Sequence, residues 1–311
     1  MTTDTPTEPA ASPWRLAPST WPGTLKRTAM EFLDDQLLQW AGALTFFAML
    51  SLFPALLALV ATLGLLGTAA TEPLVENVGR LAPGAARDIT LDALRAVRAS
   101  QSSAGPTFVI ALVIALWSAS AYVGAFIPAA NVVWEAPEER PFLRKLAVRI
   151  ALTLTLLLLI AITALTVVLT GPIAEQIGAL VGLGAVAVEA WQYAKWPFLA
   201  VAVMTLLTLL YWASPNVRHP GWSWLTPGSV LAVGLWIAAS LAFTFYVNNL
   251  SNYNDVYGTI GGVLVFLLWL WLTNIAILLG AELNAEIERT RAIEAGMRPE
   301  DKTPYLPLRN G

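Results

Sequence analysis

The sequence predicts an all-α integral membrane protein: a six-transmembrane-helix bundle with an extracytoplasmic amphipathic helical segment between spans 1 and 2. Three observations carry that expectation. Of the 311 residues, 57% are hydrophobic and only 13% are charged, with a mean hydropathy of +0.63, whereas soluble domains carry roughly 25% charge. Six apolar runs are long enough to cross a bilayer. Lysine and arginine gather on one side of those runs.

A spanning helix needs about 20 predominantly apolar residues. The runs of that length are approximately 41–66, 107–130, 146–170, 190–213, 226–247 and 258–280. In the fourth, Glu189 and Lys195 stand beside Trp191, Tyr193 and Trp196, which suits an aromatic belt at the membrane surface. The preceding stretch, 173–188, is apolar but glycine-rich and interrupted by Glu175; it reads as a re-entrant or an interfacial helix. Residues 1–23 are rich in Thr, Pro, Ala and Ser and lack a cationic start followed by an apolar core, so they read as a disordered cytoplasmic tail, not a signal peptide. From residue 24 to 40, Leu25, Ala29, Phe32, Leu33 and Trp40 fall near one face, as in a short interfacial helix leading into the bilayer. The membrane domain then covers 24–291, and 292–311 forms a second cytoplasmic tail.

Positive residues near span ends are retained on the cytoplasmic side. Arg15, Lys26, Arg27, Arg140, Arg144, Lys145, Arg149, Arg218, Arg289, Arg291, Arg298, Lys302 and Arg309 lie on one side, against Arg80, Arg87, Arg95, Arg98 and Lys195 on the other. Both termini are therefore expected in the cytoplasm. The four outer arginines belong to 72–103, where Glu72, Glu76, Asp88 and Asp92 nearly balance them. Ala86, Ile89, Ala93, Ala96 and Val97 share a helical face opposite those charges. One or two surface helices broken near Pro83-Gly84 result, either as a packed cap or as a ligand-binding lid.

A formal charge of -3 offers no basic footprint for nucleic acid. With no cysteine and the single His219, disulfides, thiolate sites and histidine-rich metal clusters are excluded, and neither metal nor cofactor is expected. No carboxylate pair, histidine constellation or phosphate-cradling loop stands at useful spacing, so the chain does not read as an enzyme. Its polar residues inside apolar surroundings are more informative. The stretch FYVNNLSNYNDVYGTIGG, 245–262, brings Tyr246, Tyr253, Asp255 and Tyr257 between the last two spans. A tight extracytoplasmic hairpin is expected there, because an unsatisfied amide in hydrocarbon costs several kcal/mol. Gly258 and Gly262 form a G-x-x-x-G pair suited to close helix packing or to a hinge, and Pro54 in the first span suits a kink or a moving hinge. At about 1.5 Å per residue, Glu282 lies roughly 36 Å beyond Gly258, at the cytoplasmic interface. Glu282, Glu286 and Arg289 continue one face as ordinary i+4 and i+3 neighbours, while Asn274, two turns earlier, could complete a polar track with Glu282. The loop 131–145 holds Trp134, three glutamates and Arg140, Arg144 and Lys145. Its acids read as a solvated turn and its bases as headgroup contacts.

The segment from Tyr211 to Arg289, including YWASPN and FYVNNLSNYNDVYGTIGGVLVFLLWLWLTNIAILLGAELNAEIER, resembles the YihY/BrkB family of bacterial inner-membrane proteins. AGALTFFAMLSLFP at 41–54 and LWSASAYVGAFIPAANVVW at 116–134 support it, and the most specific pieces are Tyr253, Tyr257-Gly258 and Gly280-Ala281-Glu282-Leu283-Asn284. The resemblance implies a multi-pass inner (plasma) membrane protein with six spans and cytoplasmic termini. Members have been labelled virulence factor, serum-resistance factor and, through a misassignment, ribonuclease BN; some are linked to envelope lipid transport. The implied function is transport or handling of an envelope lipid or other amphiphile without an ATPase of its own; the alternative is a non-transporting scaffold or regulator of the cell envelope. Candidate contacts are Tyr246, Tyr253, Asp255 and Tyr257 outside, with Asn274, Glu282 and Asn284 toward the inside. Expected partners are the bilayer, including anionic lipids, and a second copy or another envelope protein.

Overall fold

The computed structural model describes residues 16, 18–65, 113–114, 116–168, 185–219, 221, 223–250, 253–294, 296 and 306–309. These are helical apart from short joins, and among them the one strand-like feature is an isolated antiparallel bridge between Val217 and Leu308. The helices are α1 (Trp21–Asp34), α2 (Leu37–Leu65), α3 (Ala121–Val133), α4 (Phe142–Val168), α5 (Ala185–Ala213), α6 (Pro227–Leu250) and α7 (Tyr253–Glu294).

Five stretches among the described residues are long and apolar enough to cross a membrane: Leu116–Val133, Phe142–Thr163, Glu189–Ala213, Pro227–Tyr246 and Gly261–Glu294. They match the second to sixth expected spans. The first expected span falls on α2, 29 residues long with Pro54 inside it, of which Leu37–Leu52 is counted as a shorter apolar helix. The amphipathic segment 72–103 lies outside the described residues, as does 173–184; from 185 onward the chain is already α5.

The stretch expected as a loop between the last two spans is largely helix. α6 continues to Leu250 and α7 begins at Tyr253, so only two residues separate them. A helix closes its own backbone hydrogen bonds, which is the cheapest way to carry polar residues close to hydrocarbon.

Two compact units divide the chain: 1–45, 126–142 and 207–311 form one, 46–125 and 143–206 the other. In the first unit, α1 and α6 both pack against α7. Leu16, Leu283 and Ile287 form a buried apolar cluster flanked by Trp21 and Leu231. The α6–α7 seam is fixed by a backbone approach at Gly228 and Gly280. A Cβ added at either would run into the other's carbonyl oxygen, and at Gly280 it would also come within 2.7 Å of the Tyr211 hydroxyl and 2.8 Å of the Ala232 Cβ. A Cβ at Gly262, by contrast, meets nothing within 4 Å.

The second unit is built differently. Arg149 on α4 lies over Gly124, where a Cβ would approach its Cζ to 2.9 Å. Its Nε donates to the Ser120 hydroxyl at 2.8 Å and carbonyl at 3.0 Å, and its guanidinium stacks 5.0 Å from the Trp117 ring centre. Elsewhere on α4, Thr153, Thr155, Thr163 and Thr166 each donate to the carbonyl four residues back. Hydroxyls satisfied within their own helix need no partner from elsewhere, and Leu154, Leu158, Ile160 and Ile162 are left exposed.

Candidate functional site

The residues that depart most from an apolar helix sit in the second half of α7, a helix of 42 residues. Asn274, Glu282, Asn284, Glu286 and Thr290 are all buried there. Groups so placed need partners, because stranding a polar group away from water costs about 1–3 kcal/mol and a charge more.

Most of them find partners within the first unit. Asn274 donates to the Thr45 hydroxyl at 3.2 Å and to the Leu270 carbonyl at 2.9 Å. One turn on, the Tyr211 hydroxyl donates to the Ile277 carbonyl at 2.8 Å. Asn284 completes the start of α6: its Oδ1 accepts from the Gly228 N–H at 2.9 Å and its Nδ2 donates to the Thr226 hydroxyl at 3.0 Å. Thr226 and Ser229 already form a reciprocal cap, Ser229 N–H to Thr226 Oγ1 at 3.2 Å and Thr226 N–H to Ser229 Oγ at 3.1 Å, with Pro227 first in the helix. A helix leaves its first N–H groups unsatisfied, and Asn284 answers one that the local cap does not reach.

Further along, α1 closes the site with its polar stripe, not its apolar one. A helix is present where an interfacial one was expected, but it buries Thr24, Thr28 and Phe32 while Leu25, Met30 and Leu33 stay exposed. The Thr24 and Thr290 hydroxyls meet at 3.2 Å. Arg27 donates through Nε to Glu286 at 2.8 Å and through Nη2 to Thr290. Arg289 reaches Glu31 at 3.1 Å, Glu286 at 3.4 Å and Glu135 at 3.5 Å. Asp35, at the end of α1, is pushed up to about 6 by burial first and then by the charges of Glu31, Glu135 and Asp34, against the pull of Arg289. Two residues in the left-handed region flank this cluster, Gln36 at φ 54° and Glu135 at φ 47°; each costs roughly 1 kcal/mol relative to glycine there. Glu282 is 2% exposed, and among the described residues its Oε2 has no hydrogen-bond partner.

In the loop 131–145, Asn131, Val133, Trp134, Ala136 and Arg140 are buried in a packed joint, while Glu139, Arg144 and Lys145 are exposed. Trp134 is 1% exposed and stands edge-on to His219 with ring centres 5.5 Å apart. Glu138 takes hydrogen bonds from Arg140 at 2.6 and 2.8 Å and from Asn131 at 2.8 Å. Burial opposes its ionisation, but Arg140 and Asn131 outweigh that and hold the carboxyl below its ordinary range. Arg140 also donates to the Ser214 carbonyl at 2.9 Å, and Asn216 links Asn131 to Pro137. Burial first, then the Arg309 charge, drives the His219 imidazole down to about 4, so it is neutral at pH 7. The stretch expected as a plain C-terminal tail contributes as well. The Arg218 N–H donates to the Pro307 carbonyl at 2.7 Å, and Arg309 Nε to the Val217 carbonyl at 2.8 Å. The Arg309 guanidinium lies 4.6 Å from the centre of the Trp212 ring.

Of the sequence-derived candidates, Asn274, Glu282 and Asn284 thus lie on the polar half of α7. Tyr246 is exposed on α6. Tyr253, Asp255, Tyr257 and Gly258 belong to the first turns of α7, and their surroundings lie outside the described residues. Pro54 is interior to α2. Sequence reasoning missed Asp35, Glu31 and Glu135 as a group. The signal was present as Thr24, Thr28, Glu31 and Asp35, a polar stripe at helical spacing. Among the described residues no three His, Asp or Glu side chains could hold a metal ion.

Several long apolar helices, with buried amides and carboxylates gathered toward one end of α7, define a polytopic α-helical membrane protein. The family model described as Virulence factor BrkB matches residues 28–303, and the chain belongs to that family. It is 28% identical over 262 residues to the Putative ribonuclease-like protein YfkH of Bacillus subtilis, covering 84% of this chain and 92% of that one. To a UPF0761 membrane protein of Aromatoleum aromaticum it is 31% identical over 278 residues, 85% of this chain and 64% of the relative. Against a UPF0761 membrane protein of Alkalilimnicola ehrlichii the match is 41% over 86 residues, 28% of this chain and 19% of the relative. No solved structure matches.

Proposed function

We propose that this BrkB-family protein is a six-span protein of the bacterial inner membrane, with both termini in the cytoplasm, that moves or handles an envelope lipid or other amphiphile without catalysing a reaction. The observation that carries the reading is the row of buried polar groups on α7, from Asn274 to Glu282 and Glu286, within a helix whose stretch Gly261–Glu294 is apolar enough to span. Polar groups retained in such a segment mark pathways for ions or polar headgroups by default. Tyr246, Tyr253, Asp255 and Tyr257 serve the far end of the path. Arg144 and Lys145, exposed near the start of α4, supply cations for anionic headgroups.

A second reading, a scaffold or envelope regulator, is favoured by Asn284. Both ends of its amide are used within the α6–α7 seam, as expected of a residue that fixes helix packing. The test is lipid scrambling in reconstituted liposomes, with labelled anionic and zwitterionic lipids, comparing the parent with Glu282→Gln and Asn274→Leu. Transport predicts folded variants with lost scrambling. Well-folded parent protein that moves no labelled lipid would turn the assignment toward the scaffold.

A further inference from the structure

Carboxylates outnumber cations where α1 meets α7. Asp35, Glu286, Glu31 and Glu135 all act electrostatically on Glu282, and the two guanidinium groups of the cluster are held by other acids, Arg27 by Glu286 and Arg289 by Glu31, Glu135 and Glu286. These are the charged groups that face Glu282 from α1, from the turn before α2, from the loop after α3 and from α7 itself. Glu282 is nonetheless among the most deeply buried large side chains, and its Oε2 is unpartnered among the described residues. A buried carboxylate without a countercharge is strongly destabilising. The site therefore calls for a cation. Among the described residues no three acidic or histidine side chains are placed to hold a metal ion, whereas a single carboxyl oxygen is enough to bind a proton.

We propose that Glu282 is a proton-exchange site: its Oε2 takes one proton from water, forming the O–H bond of a carboxylic acid, and returns it to water. Of the carboxylates that act on Glu282, Asp35 is half-buried and the side chains of Glu31 and Glu135 are 31% and 29% exposed, so the cluster reaches from the buried site to groups in contact with solvent. A role for this proton in driving substrate movement rests on the transport reading above; the site itself does not.

The test is infrared difference spectroscopy of the purified full chain in lipid nanodiscs while bulk pH is stepped from about 8 to about 5, a range in which exposed carboxylates stay ionised. Asp35, held at about 6, gives a carboxyl C=O band of its own in this range, which Asp35→Asn removes; the expected result is a second band that appears on acidification, persists in Asp35→Asn, is missing in Glu282→Gln and moves in frequency in Glu282→Asp. Glu31→Gln removes one repelling charge and shifts the midpoint of that band to lower pH. No band beyond the one that Asp35→Asn removes, or a second band unchanged in Glu282→Asp and in Glu31→Gln, overturns the proposal whether or not Glu282→Gln folds. The intact band in a protein that scrambles no lipid would retire the transport reading alone.

Discussion

α4 and the second half of α7 are both long helices in a membrane protein, yet they treat polar groups in opposite ways. Beyond Arg149, the polar atoms of α4 are small and closed on themselves: threonine hydroxyls bond their own backbone and branched apolar side chains face outward. Such a surface is indifferent to its neighbours. On α7 the polar groups are large, buried and dependent on residues far away in sequence, Thr45, Thr226, Arg27 and Glu31 among them. The first helix suits lipid on its flank, whereas the second is a structural commitment in which one missing partner leaves a buried amide or charge stranded.

That contrast can be broken most severely at the α6–α7 seam. Gly280→Leu forces a side chain against the Gly228 carbonyl and the Tyr211 hydroxyl, and overpacking of this kind costs about 3 kcal/mol; thermal unfolding in detergent should show a large fall in Tm or loss of folded yield. Next comes Arg27→Ala. It leaves the Glu286 carboxylate buried with Arg289 alone, a loss of about 2 kcal/mol, below the usual range for a buried pair because the Arg27 side chain is itself 35% exposed. Guanidinium or urea midpoints compared with those of Arg27→Lys would report it.

Asp35→Asn sharpens the comparison through pH. The folded chain holds the Asp35 proton up to about 6, against an ordinary value of 3.8. The folded form thus binds more protons than the unfolded one in that window, and the stability so gained is lost as pH rises through about 6. The asparagine variant should accordingly melt higher than the parent at pH 7 to 8, with the gain shrinking below about 6 and vanishing below about 4. The smallest effect belongs to α4: Thr155→Val removes only a bond to the carbonyl four residues back on an exposed face and should change stability by less than about 0.5 kcal/mol.

The spans were legible because bilayer length and hydropathy leave little freedom: each of the last five expected runs falls on a described helix. The neighbouring i+3 pair of Glu286 and Arg289 was equally readable and stands at 3.4 Å. Long-range partnerships were not. Asn284 looked like an interfacial contact, because nothing local says that the N-terminus of α6 lies beside it. The glycine pair chosen from its spacing, Gly258 and Gly262, differs from the pair that brings two backbones together, Gly228 and Gly280, since close approach depends on what the neighbouring helix presents. α1 was read by its apolar stripe, the rule for a soluble helix. With lipid in place of water, the polar stripe turns inward, so Thr24 and Thr28 carried the information that Leu25 and Leu33 appeared to hold.

The distance along the chain between Arg27 and Glu286, 259 residues, also sets an order of events. Synthesis delivers α1 at the beginning and the far end of α7 only near the end of the described sequence. Closing so large a loop is entropically slow to be rewarded. Through most of its production, therefore, the nascent protein carries threonines and an arginine on α1 that have nothing to bury against. Only when α7 has emerged along its whole length can those groups reach Glu286 and Thr290, so this joint closes late among the contacts described.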